Sequence, residues 1–117
     1  MKEQPLHKRI MLASSRGSAR LWRNNVGALQ DKEGRWVKYG IANPGGSDLI
    51  GFRTITVLPE HVGMRIAIFT ALEVKQKSGR IRPEQQVFID LVKSKGGIAG
   101  VVRSVEEAER LLTWRRT

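Results

Sequence analysis

Hydrophobic positions in this chain change period several times, and each change marks an element. Over residues 3–16, Leu6, Ile10 and Ala13 fall at i, i+4 and i+7 with Met11 alongside, which predicts a short helix ending near Gly17. Pro5 suits only a first turn, so the helix should begin near residue 4 or 5. Residues 19–23 alternate and predict a first strand, and the polar run Arg23-Asn24-Asn25 precedes Gly27 as a turn or bulge. Strands at 26–30 and 35–41 flank Asp31-Lys32-Glu33-Gly34, a hairpin loop with glycine last. Asn43-Pro44-Gly45-Gly46 breaks the pattern. The segment 48–58 is rich in β-branched residues and ends at Pro59, and 64–75 predicts the longest strand.

After a loop at 76–80 comes the clearest helix. Pro83 fits its first position and Glu84 its first turn, Val87, Phe88, Leu91 and Val92 form an apolar face, and Lys93 and Lys95 precede the terminating Gly96-Gly97. Residues 98–103 predict a short buried strand. Ser104-Val105-Glu106-Glu107 is a capping box that opens a last helix through Leu111 and Leu112 to Trp114, and Arg115-Arg116 form a basic tail. A helix joining two strands implies a right-handed crossover to a parallel neighbour, whereas the earlier strands are joined by short turns and should be antiparallel. The expected class is therefore α/β, a mixed β-sheet flanked by helices, in a single domain spanning 1–117.

Composition narrows the function. The chain has 117 residues, 40% hydrophobic and 27% charged, as in a globular domain. Cysteine is absent, which excludes disulfides and thiolate metal sites. No run reaches the ~18 apolar residues of a membrane span, and Met1-Lys2-Glu3-Gln4-Pro5 lacks the apolar stretch of a signal peptide, so an intracellular location is expected. Twenty-one Lys and Arg against 11 Asp and Glu give a net charge of +10, a field that attracts polyanions, nucleic acid first among them.

Candidate chemistry lies between Gly45 and Lys75. Asp48 opens one strand-like run behind Gly45-Gly46, and Glu73-Val74-Lys75 closes another. Residues two apart on a strand share a face, so Glu73 and Lys75 point the same way, with Val74 turned into the core. If the two strands pair, Asp48 approaches Glu73 at a shared end. Two carboxylates and a backbone carbonyl, that of Val74, make a hard oxygen site for Mg²⁺ or Mn²⁺. Such an ion polarises a phosphate and acidifies a water, and Lys75 could position that water or stabilise charge on the phosphate. E-x-K is common, and on these residues alone an exposed, solvated sheet face accounts for them equally well. Lys77, Arg80 and Arg82 flank the lysine end and suit phosphate contact. Arg23 and its two asparagines fit either a phosphate contact or a simple turn. Trp22, Trp36 and Trp114 could stack on bases but are expected to pack in the core or at an interface, and His7 and His61 to face solvent. No nucleophile elbow, phosphate loop or dinucleotide fingerprint is present.

Gly46-Ser47-Asp48-Leu49-Ile50-Gly51, then Glu73-Val74-Lys75, Gly79-Arg80, Pro83-Glu84-Gln85 and Gly96-Gly97 before Ile98-Ala99 resemble, in that order, the VRR-NUC (virus-type replication-repair nuclease) family of the PD-(D/E)XK nuclease superfamily. The resemblance covers almost the whole chain, as in small standalone members from phages and bacteria. It implies a restriction-endonuclease-like core, with Asp48 and Glu73 as metal ligands, Lys75 as the catalytic lysine and Gln85 lining the site. Glu3 would match an acid on the superfamily's first helix, and this chain has His7 where members usually offer Gln, so site and surface readings of Glu3 both stand.

The expected function is a Mg²⁺- or Mn²⁺-dependent DNA endonuclease in the cytoplasm of a bacterium or phage-infected cell. Small standalone members of the family look like junction resolvases, so the resemblance implies a Holliday-junction resolvase; a two-sided substrate such as a four-way junction needs two active sites, and a homodimer would supply the second. Arg23, Asn25, Lys77, Arg80 and Arg82 are the expected DNA contacts. The rivals are a flap or nicking nuclease, a non-catalytic basic DNA-binding module and, lower, an RNA-binding protein.

Overall fold

The computed structural model describes residues 5–113. Glu3, Trp114 and the basic pair Arg115-Arg116 lie outside the described residues. The chain divides into two units, Met1–Ile55 and Thr56–Thr117.

In the first unit, helix α1 (Leu6–Ser14) begins directly behind Pro5. Its end is fixed by Ser15, whose N–H donates to the Met11 carbonyl at 3.0 Å and whose Oγ accepts from the Leu21 N–H at 2.8 Å. That second bond ties α1 to strand β1 (Ala19–Arg23), which pairs antiparallel with β4 (Leu49–Arg53). Trp22 and Phe52 pack with ring centroids 5.8 Å apart. Strands β2 (Gly27–Gln30) and β3 (Trp36–Tyr39) form a separate antiparallel hairpin. Its loop is closed by Asp31, whose Oδ1 accepts from the N–H groups of Glu33 and Arg35 at 2.9 and 2.8 Å. The strand expected over 48–58 is only five residues long. Its last bond to this neighbour runs from the Thr54 N–H to the Ser18 carbonyl at 2.7 Å, just ahead of β1, where the ladder has already ended at Ala19 and Arg53.

The second unit starts with a 3₁₀ turn, Pro59–His61, where His61 Nδ1 accepts from the Leu58 N–H at 2.9 Å. Strand β5 (Thr70–Val74) pairs parallel with β6 (Ile98–Val102), joined by helix α2 (Pro83–Ser94). The strand expected over 64–75 is thus shortened, because a ladder is as long as its shorter partner and β6 begins only after Gly96-Gly97. Those glycines close α2 in a Schellman arrangement: the Gly97 N–H donates to the Val92 carbonyl at 2.9 Å and the Gly96 N–H to that of Lys93 at 3.1 Å. The Gly96 φ of +94° is one that side-chain-bearing residues adopt only with strain.

The core lies between α2 and this ladder. Ile89, Val92 and Ala99 are buried, with Phe69, Ala71, Ile81 and Val101 packed against them. Val87, expected on the apolar face of α2, is 68% exposed. The run 85–92 carries two overlapping apolar stripes, and the one that meets the strands is Gln85–Ile89–Val92 at i, i+4, i+7. Helix α3 (Val105–Leu112) covers the other side of β6, with Leu111 against Gly100. Its cap is a shifted form of the expected capping box: Ser104 Oγ accepts from the Glu107 N–H at 3.1 Å, and Glu107 Oε1 accepts from the Arg103 N–H at 2.8 Å. The described strands therefore form two antiparallel ladders and one parallel ladder, each two-stranded, where one mixed sheet was expected.

Candidate active site

Along β5 the face turned to α2 changes character at its carboxyl end. Phe69 and Ala71 belong to the apolar cluster, and the next two positions of the same parity are Glu73 and Lys75. Their side chains are 31% and 18% exposed, and Lys75 Nζ lies 3.6 Å from Glu73 Oε2. The same Oε2 accepts from Gln85 Nε2 at 3.1 Å, while Gln85 Oε1 accepts from the Arg82 N–H at 2.8 Å. Both ends of the amide are used, which fixes its orientation. Gln85 can reach the acid because it heads the stripe that runs down to Ile89 and Val92. A cleft of about 310 Å³ lies here, lined by Ala71, Leu72, Glu73, Glu84, Gln85, Phe88 and Ile89. It sits at the carboxyl end of a parallel strand and beside the first turn of the crossover helix, where the helix dipole favours anions. Glu84, read from the sequence only as part of the Pro83-Glu84-Gln85 helix start, also lines the cleft and pairs with Arg82 at 3.4 Å on the exposed rim.

Val74 corrects an expectation. The residue is 73% exposed, since the face of β5 opposite α2 is left uncovered at this end, so it adds nothing to the core. Only its backbone carbonyl, next to Glu73, remains as a candidate oxygen donor.

Asp48 lies in the first unit, exposed, one residue ahead of β4. Within residues 5–55 no donor reaches its carboxylate. Its backbone is held instead: the Asp48 carbonyl accepts from the Asn24 N–H at 2.8 Å. The Asn24 side chain donates through Nδ2 to the carbonyls of Ile41 and Ser47 at 3.0 and 3.1 Å, and its Oδ1 accepts from the Ile41 N–H at 2.8 Å. Gly46 runs so close to the Ile41 carbonyl that a Cβ there would collide with it, and it would crowd Asn24 Nδ2. Asn43 secures the other side of this loop, donating to the carbonyls of Gly27 and Tyr39 at 2.7 and 2.8 Å. The polar run thus divides by role: Asn24 is buried and turned inward, while Arg23 and Asn25 are exposed.

In the second unit Lys77, Arg80 and Arg82 are exposed. Arg103, which the sequence did not mark, donates through Nη1 to the carbonyls of Gln76 and Gly79 at 2.6 and 2.8 Å and shapes the loop after Lys75. Trp36 is 70% exposed, so of the core and interface packing expected for it the core is excluded.

Metal fit can be tested on the donors. Both contacts to Glu73 fall on Oε2, so Oε1 is without a partner among the described residues and is available to a cation. No group of three His, Cys, Asp or Glu side chains converges among the described residues. A carboxylate with a free oxygen and a neighbouring carbonyl fit a hard divalent ion that takes its remaining ligands from water or phosphate.

A carboxylate–lysine pair oriented by an amide, at the carboxyl end of a parallel strand in a chain of charge +10, has the makings of a phosphodiester-directed hydrolase. The VRR-NUC domain family matches residues 6–106, and the chain belongs to that family. It is accordingly a nuclease, with DNA as its substrate. Searches of curated proteins and of solved structures returned no match. No helix among the described residues is long and apolar enough to cross a membrane.

Proposed function

We propose that this protein is a divalent-metal-dependent DNA endonuclease with a PD-(D/E)XK core in a single domain, and that Asp48, Glu73, Lys75 and Gln85 are its catalytic residues. The observation that carries the proposal is the half-buried Lys75–Glu73–Gln85 cluster. A family match that runs through both Asp48 and Gln85 supports it. Asp48, Glu73 and the Val74 carbonyl would hold Mg²⁺ or Mn²⁺, with Glu3 as a further candidate ligand. A bound ion of this kind supplies positive charge to the phosphoryl oxygens and an acidified water.

The remaining roles belong to the chain. Gln85 holds Glu73 in one orientation, so that Oε1 is presented while Oε2 is engaged. Lys75 brings a partly desolvated ammonium beside the acid, where it orients the attacking water or balances charge on the phosphate. Arg23, Asn25, Lys77, Arg80 and Arg82 hold DNA by its phosphates, which sets affinity and salt dependence without reading sequence.

The substrate we propose is branched duplex, a four-way junction cut by a homodimer acting in the cytoplasm. Leu29, Trp36, Val37 and Tyr39 leave the β2–β3 hairpin apolar and exposed, which supports association. The test compares the wild type with Asp48→Asn and Lys75→Ala on four-way, flap and linear DNA in Mg²⁺, Mn²⁺ or EDTA. The expected result is junction cleavage that needs metal, binding retained by both variants, and cleavage lost in both. Binding without cutting under every metal condition would sink the enzyme. Equal cutting of linear duplex would remove the junction preference, and a monomer by light scattering at assay concentration would remove the dimer.

A further inference from the structure

Asn24 is the one buried residue among residues 5–55, at 8% exposure, and it is polar. A buried amide is retained only where its hydrogen bonds are made, and here they are made to the two ends of one loop. Nδ2 donates to the Ser47 carbonyl at 3.1 Å and the backbone N–H of the same residue donates to the Asp48 carbonyl at 2.8 Å. Two consecutive carbonyls, on either side of the Asp48 α-carbon, are thus gripped by a single residue. The other half of the side chain anchors to the far end of the loop, giving to the Ile41 carbonyl at 3.0 Å and taking from the Ile41 N–H at 2.8 Å. The loop is drawn shut across Asn24, and its closing residue is the acid.

We infer that Asn24 is a positioning residue for Asp48: it fixes the backbone from which that carboxylate projects. This rests on the proposal that Asp48 is catalytic. No other side chain reproduces the pattern. Aspartate offers no donor to the two carbonyls, serine is too short to span from Ile41 to Ser47, and glutamine displaces the amide by a methylene. The Asp48 carboxylate has no donor of its own within residues 5–55, so what this unit fixes is the Cα–Cβ direction from which it projects, and loosening that backbone turns the acid away. Misplacement by about 1 Å is enough to cost on the order of a hundredfold in a preorganised site.

The test is a double-mutant cycle on single-turnover cleavage, with DNA affinity measured in EDTA and amide hydrogen exchange measured on the metal-free protein. Asn24→Ala should lower the cleavage rate by about 30- to 100-fold. Affinity in EDTA should stay within about twofold, and exchange at Ser47 to Leu49 should accelerate. Added to Asp48→Asn, Asn24→Ala should cost nothing further, because the group it positions is already gone. Asn43→Ala, which loosens the same loop away from Asp48, should leave the rate within about threefold. Full additivity in the cycle, or an Asn43→Ala defect as large as that of Asn24→Ala, would show a general loop effect and overturn the inference. Wild-type exchange is decisive even if Asn24→Ala fails to fold: an unprotected Ile41 amide would remove the clamp. An Asp48→Asn variant that cleaves at the wild-type rate would instead overturn the catalytic reading of Asp48, and this inference with it.

Discussion

Residues 5–55 bury one side chain, the amide of Asn24, whereas residues 56–113 bury five, all apolar: Ile89, Val92, Ile98, Ala99 and Val102. The two proposed metal-binding acids therefore stand on different physics. Glu73 is seated on a packed cluster, at the point where an apolar face runs out, and a helix anchored in that cluster supplies the amide that orients it. Asp48 is seated on hydrogen bonds alone, at the end of a loop stitched by two asparagines. Packing is worth energy in proportion to area and degrades gradually, while a buried polar clamp is worth little net but costs much when half unmade. One acid should tolerate small changes around it and the other should not.

Direct removal of the chemistry gives the largest expected effect. Glu73→Gln should reduce the single-turnover rate by on the order of a thousandfold, with little change in melting temperature, because the carboxylate contributes to the reaction and not to the cluster beneath it. Next comes the cluster itself: Ile89→Ala should destabilise by about 2–4 kcal/mol in urea titration, with a smaller rate loss at temperatures where the protein remains folded. Gln85→Ala should fall below both, about ten- to a hundredfold in rate, since it frees Glu73 to rotate without removing it. Should Gln85→Ala instead cost as much as Glu73→Gln, the glutamine contacts the phosphate itself. The smallest effect belongs to Arg82→Ala, which breaks an exposed pair with Glu84 and should change stability by less than about 0.5 kcal/mol. Its signature is a shallower salt dependence of DNA binding.

Much of this frame is legible in the sequence. Short-range chemistry announced itself: Pro83 and Gly96-Gly97 bracket α2, Asp31 to Gly34 marks the hairpin, and residues 19–23 form β1 as expected. Strand lengths were not legible, because a run such as 64–75 carries β-branched residues throughout yet pairs only as far as its neighbour extends. Helix facing was ambiguous where apolar residues crowd 87–92. Gln85 at the head of the winning stripe was a usable signal, since a polar residue in register with Ile89 and Val92 is turned toward the strands. The exposure of Val74 follows from what covers each face of β5, which no local pattern encodes. Asn24 was visible only as a polar residue before a glycine, and its partners lie 17 and 23 positions away in sequence. Family membership spans 6–106, but the positions of a loop's two ends become visible only once it is folded.

Lys77 sits in an exposed loop, the kind of segment at which trypsin cuts first. A protease must draw its substrate into an extended strand, and here the carbonyls of Gln76 and Gly79 are both held by one guanidinium. Limited digestion should therefore spare the bond after Lys77 in the native protein and open it in Arg103→Ala. The loop joining the proposed catalytic lysine to α2 would in that sense be latched from the end of the neighbouring strand, by a residue whose charge is turned to the loop's carbonyls.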